Sequence, residues 1–266
     1  MGMEALLEKC NELYDELDCC HGNNSTCSCG DCWKSDFYAG PDSYNCLKKL
    51  CYYTMNYGPA YASEIYHYFD KSQIFEREFN NRAVINLLSL GCGFSPDAYA
   101  IEKYIDDNKL NIEYNYTGFD IEERWNEIRE NANNKHYEVC DLLDGFSLRE
   151  YDIIFICKVF STIRRNNIER SITFLRLLRD QINMMTDGSY LIFDDVNHVD
   201  FGRDTFDRSV KSFFSQCTYY YFPLENAYSG TYIRIDNIEN VFDYPENLRI
   251  TPKKDVFKTI IFEYRK

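Results

Sequence analysis

Apolar and polar positions follow two different rhythms along the chain, and the change between them divides it in two. Over residues 4–17, Leu6, Leu7, Cys10, Leu13 and Leu17 recur at helical spacing among charged residues, which predicts a helix. Across 44–79 the helical rhythm returns in aromatic form. Tyr53, Tyr57 and Tyr61 fall four residues apart, and Glu64, Ile65, Tyr68 and Phe69 continue the pattern. Gly58-Pro59 interrupts it. Proline lacks the N–H that a helix interior needs, so the pattern predicts one helix ending near Asn56 and another starting at Pro59.

From Arg82 onward short apolar runs alternate with helical stretches. Strands are predicted over 84–90, 114–119, 136–139, 152–157 and 190–193, and helices over 96–107, 122–132, 166–185 and 205–216. On the third of these helices Ile168, Ile172, Leu175, Leu178 and Ile182 share the expected buried face. After residue 217 strands follow one another at 217–222, 231–235 and 257–264. Alternating strands and helices imply an α/β fold with a parallel sheet, closed by an antiparallel C-terminal strand. The expected division is an N-terminal helical subdomain over 1–81 and a sheet domain over 82–266.

The sharpest feature is the junction at Ile85-Asn86-Leu87-Leu88-Ser89-Leu90-Gly91-Cys92-Gly93-Phe94-Ser95-Pro96-Asp97. An apolar strand ends in Gly-x-Gly and a helix opens at once. In open α/β sheets such a turn is where nucleotide-like ligands sit. A dinucleotide would need a third glycine and a helix N-terminus free for pyrophosphate. Here the third glycine is missing. Ser95 is a good N-cap, Pro96 a good first residue, and Asp97 sets a carboxylate at the positive helix end, where it would repel a pyrophosphate. A ligand without phosphates is expected.

These residues resemble the first motif of class I S-adenosylmethionine-dependent methyltransferases, whose usual form is acidic-x-Gly-x-Gly. Gly91 and Gly93 match, and Ser89 stands where the family usually has Asp or Glu. Asp120, in Thr-Gly-Phe-Asp-Ile, matches the acidic residue that accepts both ribose hydroxyls, and Asp141, in Glu-Val-Cys-Asp-Leu-Leu, matches the residue beside the adenine amine. The resemblance implies a Rossmann-like methyltransferase sheet over roughly 83–264. It places Ser89, Gly91, Cys92, Gly93, Asp120, Ile121, Asp141, Leu142 and Cys157 around S-adenosylmethionine. The implied reaction is methyl transfer to an unidentified acceptor. Two other readings stay open: a non-catalytic binding or scaffold protein on the same fold, and transfer of another part of the cofactor, such as its aminocarboxypropyl group.

Some acceptor chemistries lose support. The Asn/Asp-Pro-Pro-Tyr signature of amino-group methylation on bases is absent, because the fourth strand ends Ile156-Cys157-Lys158-Val159-Phe160-Ser161, and so is the Pro-Cys of cytosine C5 enzymes. Asp194-Asp195-Val196-Asn197-His198 is similar to the segment after the fifth strand in metal-dependent O-methyltransferases. Those enzymes also need an Asp where this chain has Cys157-Lys158, so magnesium is not expected. His198, between Asp195 and Asp200, is the histidine best placed for general-base work. Tyr57 and Tyr61 are candidates for a lid over the pocket. Asp195, His198 and Tyr57 are therefore the candidate catalytic residues.

Composition adds limits on partners. The net charge of −14 and the absence of any Lys/Arg run longer than a pair give no support for nucleic-acid binding, which draws on a basic face. No apolar stretch approaches the roughly 20 residues of a membrane span, and the N-terminus has no signal-peptide pattern, so a soluble cytoplasmic protein is expected. The chain has 12 cysteines, concentrated towards the N-terminus. Cys20, Cys27, Cys29 and Cys32, with Cys19 or His21 as substitutes, lie in a Gly/Asn/Ser loop that cannot bury itself. Thiolates at this spacing predict a structural zinc ion.

Overall fold

The computed structural model describes residues 2–18, 29–32, 46–223, 231–254 and 258–266. The first helix, α1 (Met3–Glu16), packs on a long helix, α2 (Leu47–Ser72). An α/β unit follows: β1 (Val84–Leu90), α3 (Pro96–Asn108), β2 (Glu113–Asp120), β3 (Lys135–Val139), β4 (Ile153–Cys157), α4 (Phe160–Asn166), α5 (Ile168–Ile182), β5 (Tyr190–Val196), α6 (Arg203–Val210), β6 (Gln216–Tyr221), β7 (Ile233–Arg234) and β8 (Thr259–Arg265). They form one sheet in the order β3-β2-β1-β4-β5-β8-β6-β7. β8 lies antiparallel between β5 and β6, while the other pairings are parallel. This is the Rossmann-like arrangement expected, with the strand order reversing between β1 and β4.

Successive strand residues face opposite sides of the sheet, so each strand feeds two cores. Leu87 and Phe155 pack with Ile65, Tyr68 and Phe69 of α2 and with Ile101 and Tyr104 of α3. Their neighbours Leu88, Ile154 and Ile156 pack on the other side with Phe160, Phe174, Leu178, Ile182 and Phe206 of α4, α5 and α6. β4 is therefore apolar almost throughout, as a strand covered on both faces must be. A third cluster joins Met3, Leu6, Leu7 and Cys10 of α1 and Leu50 and Met55 of α2 to Phe94 and Trp125, beside the Gly-x-Gly turn.

The predicted break at Pro59 does not occur. α2 runs through it as one helix of 26 residues. An interior proline costs about 3 kcal/mol. Burial outweighs it, since Met55, Ala60, Ala62 and Ile65 are all at most 1% exposed and a buried Ile or Met contributes roughly 1.5–3 kcal/mol. A Cβ on Gly58 would already touch Met3, Leu7 and Phe94 at 3.6–3.8 Å, so the missing side chain lets α1 approach.

Other boundaries moved. The helix expected over 122–132 is a short 3-10 turn, Glu123–Glu127. The one expected over 166–185 is α5, Ile168–Ile182, which starts where Asn167 accepts the Arg170 N–H at 3.1 Å, and a separate helix, α4, precedes it. Ile168 and Ile172 face solvent at 59% and 53% exposure, and Ser171 and Phe174 take the buried positions instead. Strand β5 extends through Val196, which makes Asp194 and Asp195 buried strand residues rather than loop residues.

Candidate functional site

Parallel pairing of Leu90 with Phe119 brings the end of β1 level with the end of β2. The Phe119 carbonyl then accepts the N–H groups of Gly91 at 2.7 Å and Cys92 at 2.9 Å, folding the turn over β2. Gly91 has φ +69, and a Cβ there would lie 2.5 Å from Val159 Cγ2. Only glycine meets both conditions. Gly118 is demanded by the other side of the same approach, with Cys92 Sγ 2.7 Å from where its Cβ would stand.

Asp120 closes β2. Its Oδ2 accepts the Gly93 N–H at 2.8 Å and its Oδ1 accepts the Glu122 N–H at 2.9 Å. Each oxygen keeps a further lone pair, so the carboxylate is fixed in place and still able to accept two hydroxyls. Burial raises the Asp120 pKa, while the Arg129 guanidinium and the two backbone donors oppose the rise. Arg129 itself donates from Nε to the Gly93 carbonyl at 2.5 Å and lies over the Tyr137 ring, bracing the turn from behind.

Asp120 pairs with Val139 of β3, and two residues further Asp141 holds its own loop by accepting the Leu143 N–H at 2.9 Å. Its other oxygen pairs with Arg170 of α5 at 3.1 Å. Together these strand ends line an open cleft. Gly91, Gly93, Asp120, Ile121, Asp141, Leu142 and Cys157 all line it. Ser89 and Cys92 lie buried behind the turn, at 1% and 3% exposure.

The start of α3 departs from expectation in one respect. Ser95 occupies the N-cap position in a left-handed conformation and makes no side-chain cap bond. Pro96 opens the helix, and Asp97 is fully buried. Its Oδ1 accepts the Tyr116 hydroxyl at 3.0 Å. Burial pushes the Asp97 pKa up to about 6, opposed by Ser89, Tyr116 and the first helical N–H groups.

None of the candidate catalytic residues, Asp195, His198 and Tyr57, is on the lining of the cleft. Asp195 is buried, accepts the Ser161 N–H at 2.9 Å at the start of α4, and is pushed up to about 6 by burial. The His198 side chain is 45% exposed, and its Nδ1 accepts the Asp200 N–H. Tyr57 stacks on Tyr61 with centroids 5.5 Å apart, and it is Tyr53, one turn earlier, that reaches the cleft.

Several cleft residues were not among the site residues expected from the sequence. Trp125 and Tyr53 form one wall, Lys158 and Val159 follow β4, and Arg170 comes from α5. Lys158 has φ +60, a left-handed conformation uncommon for a lysine. Its Nζ lies 2.6 Å from Glu64 Oε2 and 2.9 Å from Asp194 Oδ1. Such contacts join residues far apart in the chain and leave no local pattern.

Of the predicted zinc ligands, Cys29 is buried and Cys32 partly buried in a helical turn over 29–32. Cys20 and Cys27, like the substitutes Cys19 and His21, lie outside the described residues. Among the described residues no group of three or more His, Cys, Asp or Glu side chains is arranged to hold a metal ion. No described helix is long and apolar enough to cross a membrane.

No protein-family model matches the chain, and no curated protein matches it either. Among solved structures it is similar to the N-methyltransferase NodS from Bradyrhizobium japonicum in complex with S-adenosyl-L-homocysteine. The identity there is 12%, covering 88% of this chain and 98% of that one, with a TM-score of 0.47. It is also similar to the plantazolicin methyltransferase BpumL in complex with the same compound, at 15% identity, 98% and 99% coverage and a TM-score of 0.47. A third is a SAM-dependent methyltransferase from Archaeoglobus fulgidus, at 14% identity, 75% and 94% coverage and a TM-score of 0.42. Likenesses this distant leave ligand and reaction to be argued from the cleft itself.

Proposed function

We propose that the cleft binds S-adenosylmethionine and that the chain transfers its methyl group to an acceptor seated on the tyrosine side of the cleft. The observation that carries this reading is Asp120. Its carboxylate is held by two backbone donors at the end of β2, in the wall of the cleft, with acceptor capacity to spare. In this reading Asp120 takes the two ribose hydroxyls and Asp141 the adenine amine, while Ile121 and Leu142 flank the ring. The Gly91–Gly93 backbone lies along the methionine part. The buried Asp97 carboxylate at the start of α3 argues against pyrophosphate, and so against a dinucleotide.

Methyl transfer from a sulfonium is an in-line displacement that depends chiefly on holding the nucleophile about 3 Å from the methyl carbon. In this reading the protein's contribution is alignment. Asp195, His198 and Tyr57 remain the residues to test on the acceptor side. Ser89, in place of the usual acid, favours the second reading of a binding or scaffold protein. A labelled-methyl transfer assay against lysate fractions separates the two. Incorporation of label into a discrete acceptor supports the enzyme. Cofactor binding with no transfer to any fraction supports the scaffold. The zinc reading rests on the spacing of Cys20, Cys27, Cys29 and Cys32, and metal analysis after purification without chelator tests it.

A further inference from the structure

We propose that Arg170 reads the base of the cofactor, donating to an adenine ring nitrogen beside the amine that Asp141 accepts; this rests on the cofactor reading above. The argument starts from the pair itself. Asp141 follows β3, Arg170 stands in the first turn of α5, and both line the cleft. Arg170 Nη2 donates to Asp141 Oδ2 at 3.1 Å. A ligand in the cleft therefore meets the carboxylate and the guanidinium side by side.

Each partner keeps bonding capacity to spare. Asp141 Oδ1 accepts the Leu143 N–H at 2.9 Å and Oδ2 accepts Arg170, which leaves each oxygen a further lone pair. A guanidinium has five N–H donors, and among the described residues that of Arg170 hydrogen-bonds only to Asp141. The foot of the side chain is fixed, because the Arg170 backbone N–H is held by Asn167 at the start of the helix. The side chains of Arg170 and Asp141 are 40% and 27% exposed. An ion pair so open to solvent contributes at most about 1 kcal/mol to the fold. Stability alone gives little reason for the pair, whereas its place on the lining gives it a ligand to meet.

A group that only accepts, set beside a group that only donates, is the complement of adenine. The adenine amine donates, and the ring nitrogens that flank it, N1 on one edge and N7 on the other, only accept. With the amine on Asp141, Arg170 meets whichever of the two faces it. The guanidinium is planar and rigid, so separate N–H groups hold the carboxylate and the base in one plane. A carbonyl in place of the amine, as in hypoxanthine, would set an acceptor against the Asp141 carboxylate. The pair therefore selects adenine.

The test is calorimetry on the full chain with S-adenosylhomocysteine and its 1-deaza and 7-deaza analogues, in each of which a C–H replaces one ring nitrogen. S-adenosylhomocysteine is titrated first; if it does not bind, the cofactor reading and this inference fall together. With the parent chain, one analogue should bind about tenfold more weakly than S-adenosylhomocysteine and the other about equally. Arg170→Met keeps the aliphatic stem and removes the donors. It should bind S-adenosylhomocysteine about tenfold more weakly than the parent does, and should bind both analogues as well as S-adenosylhomocysteine itself. A merely structural role for Arg170 would lower all three affinities and leave the difference between them in place. If neither analogue or both lose affinity in the parent, if the difference persists in Arg170→Met, or if Arg170→Met binds S-adenosylhomocysteine as tightly as the parent, base reading by Arg170 is overturned and the cofactor reading stands.

Discussion

The Tyr116 hydroxyl donates to Asp97 Oδ1 at 3.0 Å, across the gap between β2 and the first turn of α3. Ser89, at the end of β1, stabilises the same carboxylate. The acid that the family resemblance leads one to expect at residue 89 is thus absent from the strand, and a carboxylate reaches Ser89 from the helix. Asp97 is fully buried, and its Oδ2 has no hydrogen-bond partner among the described residues.

That carboxylate should leave a mark on stability. Its pKa is raised from 3.8 to about 6, so its neutral form is favoured in the folded chain. The resulting contribution is complete below about pH 3.8 and is lost as pH rises through about 6. Replacing Asp97 with Asn removes this titration. The stability of Asp97→Asn relative to the parent should therefore rise between pH 4 and 7, by up to about 3 kcal/mol. Denaturant unfolding at a series of pH values checks it, and a pH-independent difference would refute the assignment.

Gly91→Ala should cost about 2–4 kcal/mol, from left-handed strain and the clash with Val159. Adding Val159→Ala should relieve the clash and leave the strain of about 1–2 kcal/mol. Unfolding midpoints of the single and double variants measure both parts.

Lys158→Met should destabilise the fold by about 3–5 kcal/mol, because it strands Glu64 and Asp194 as buried carboxylates without their shared cation. Adding Glu64→Gln removes one of the two stranded charges. The double variant should therefore lose less than the sum of the singles, and strict additivity would show that the contact is not coupled.

His198→Ala is expected to change turnover less than twofold, since the ring stands outside the cleft lining and its Nδ1 accepts a local backbone N–H. A loss of two orders of magnitude, typical of removing a general base, would place His198 at the reaction.

Legibility in the sequence followed the range of the interactions. The turn at Gly91-Cys92-Gly93 was readable because positive φ and close backbone approach leave few alternatives to glycine. Asp120 was readable because it ends β2, whose alternating Tyr114, Tyr116 and Phe119 are visible, whereas Asp141 follows the polar strand β3 by two residues and was marked by the family resemblance alone. Pro59 misled because local propensity lost to burial around α2, and Ile168 and Ile172 misled because the buried face of α5 runs through Ser171, Phe174, Leu175, Leu178 and Ile182. The Glu64–Lys158–Asp194 cluster was not readable at all. It joins α2, the end of β4 and β5 across 94 residues at one contact and 36 at the other, and only the folded sheet brings them together.

The central claim is that Asp120 holds the ribose of S-adenosylmethionine, and titration calorimetry of the parent and Asp120→Ala with S-adenosylmethionine and S-adenosylhomocysteine tests it most directly. The account predicts that the parent binds both compounds and that Asp120→Ala weakens each by roughly 2–4 kcal/mol, the loss of two hydrogen bonds to a charged group. No binding by the parent, or equal binding by Asp120→Ala, would contradict it.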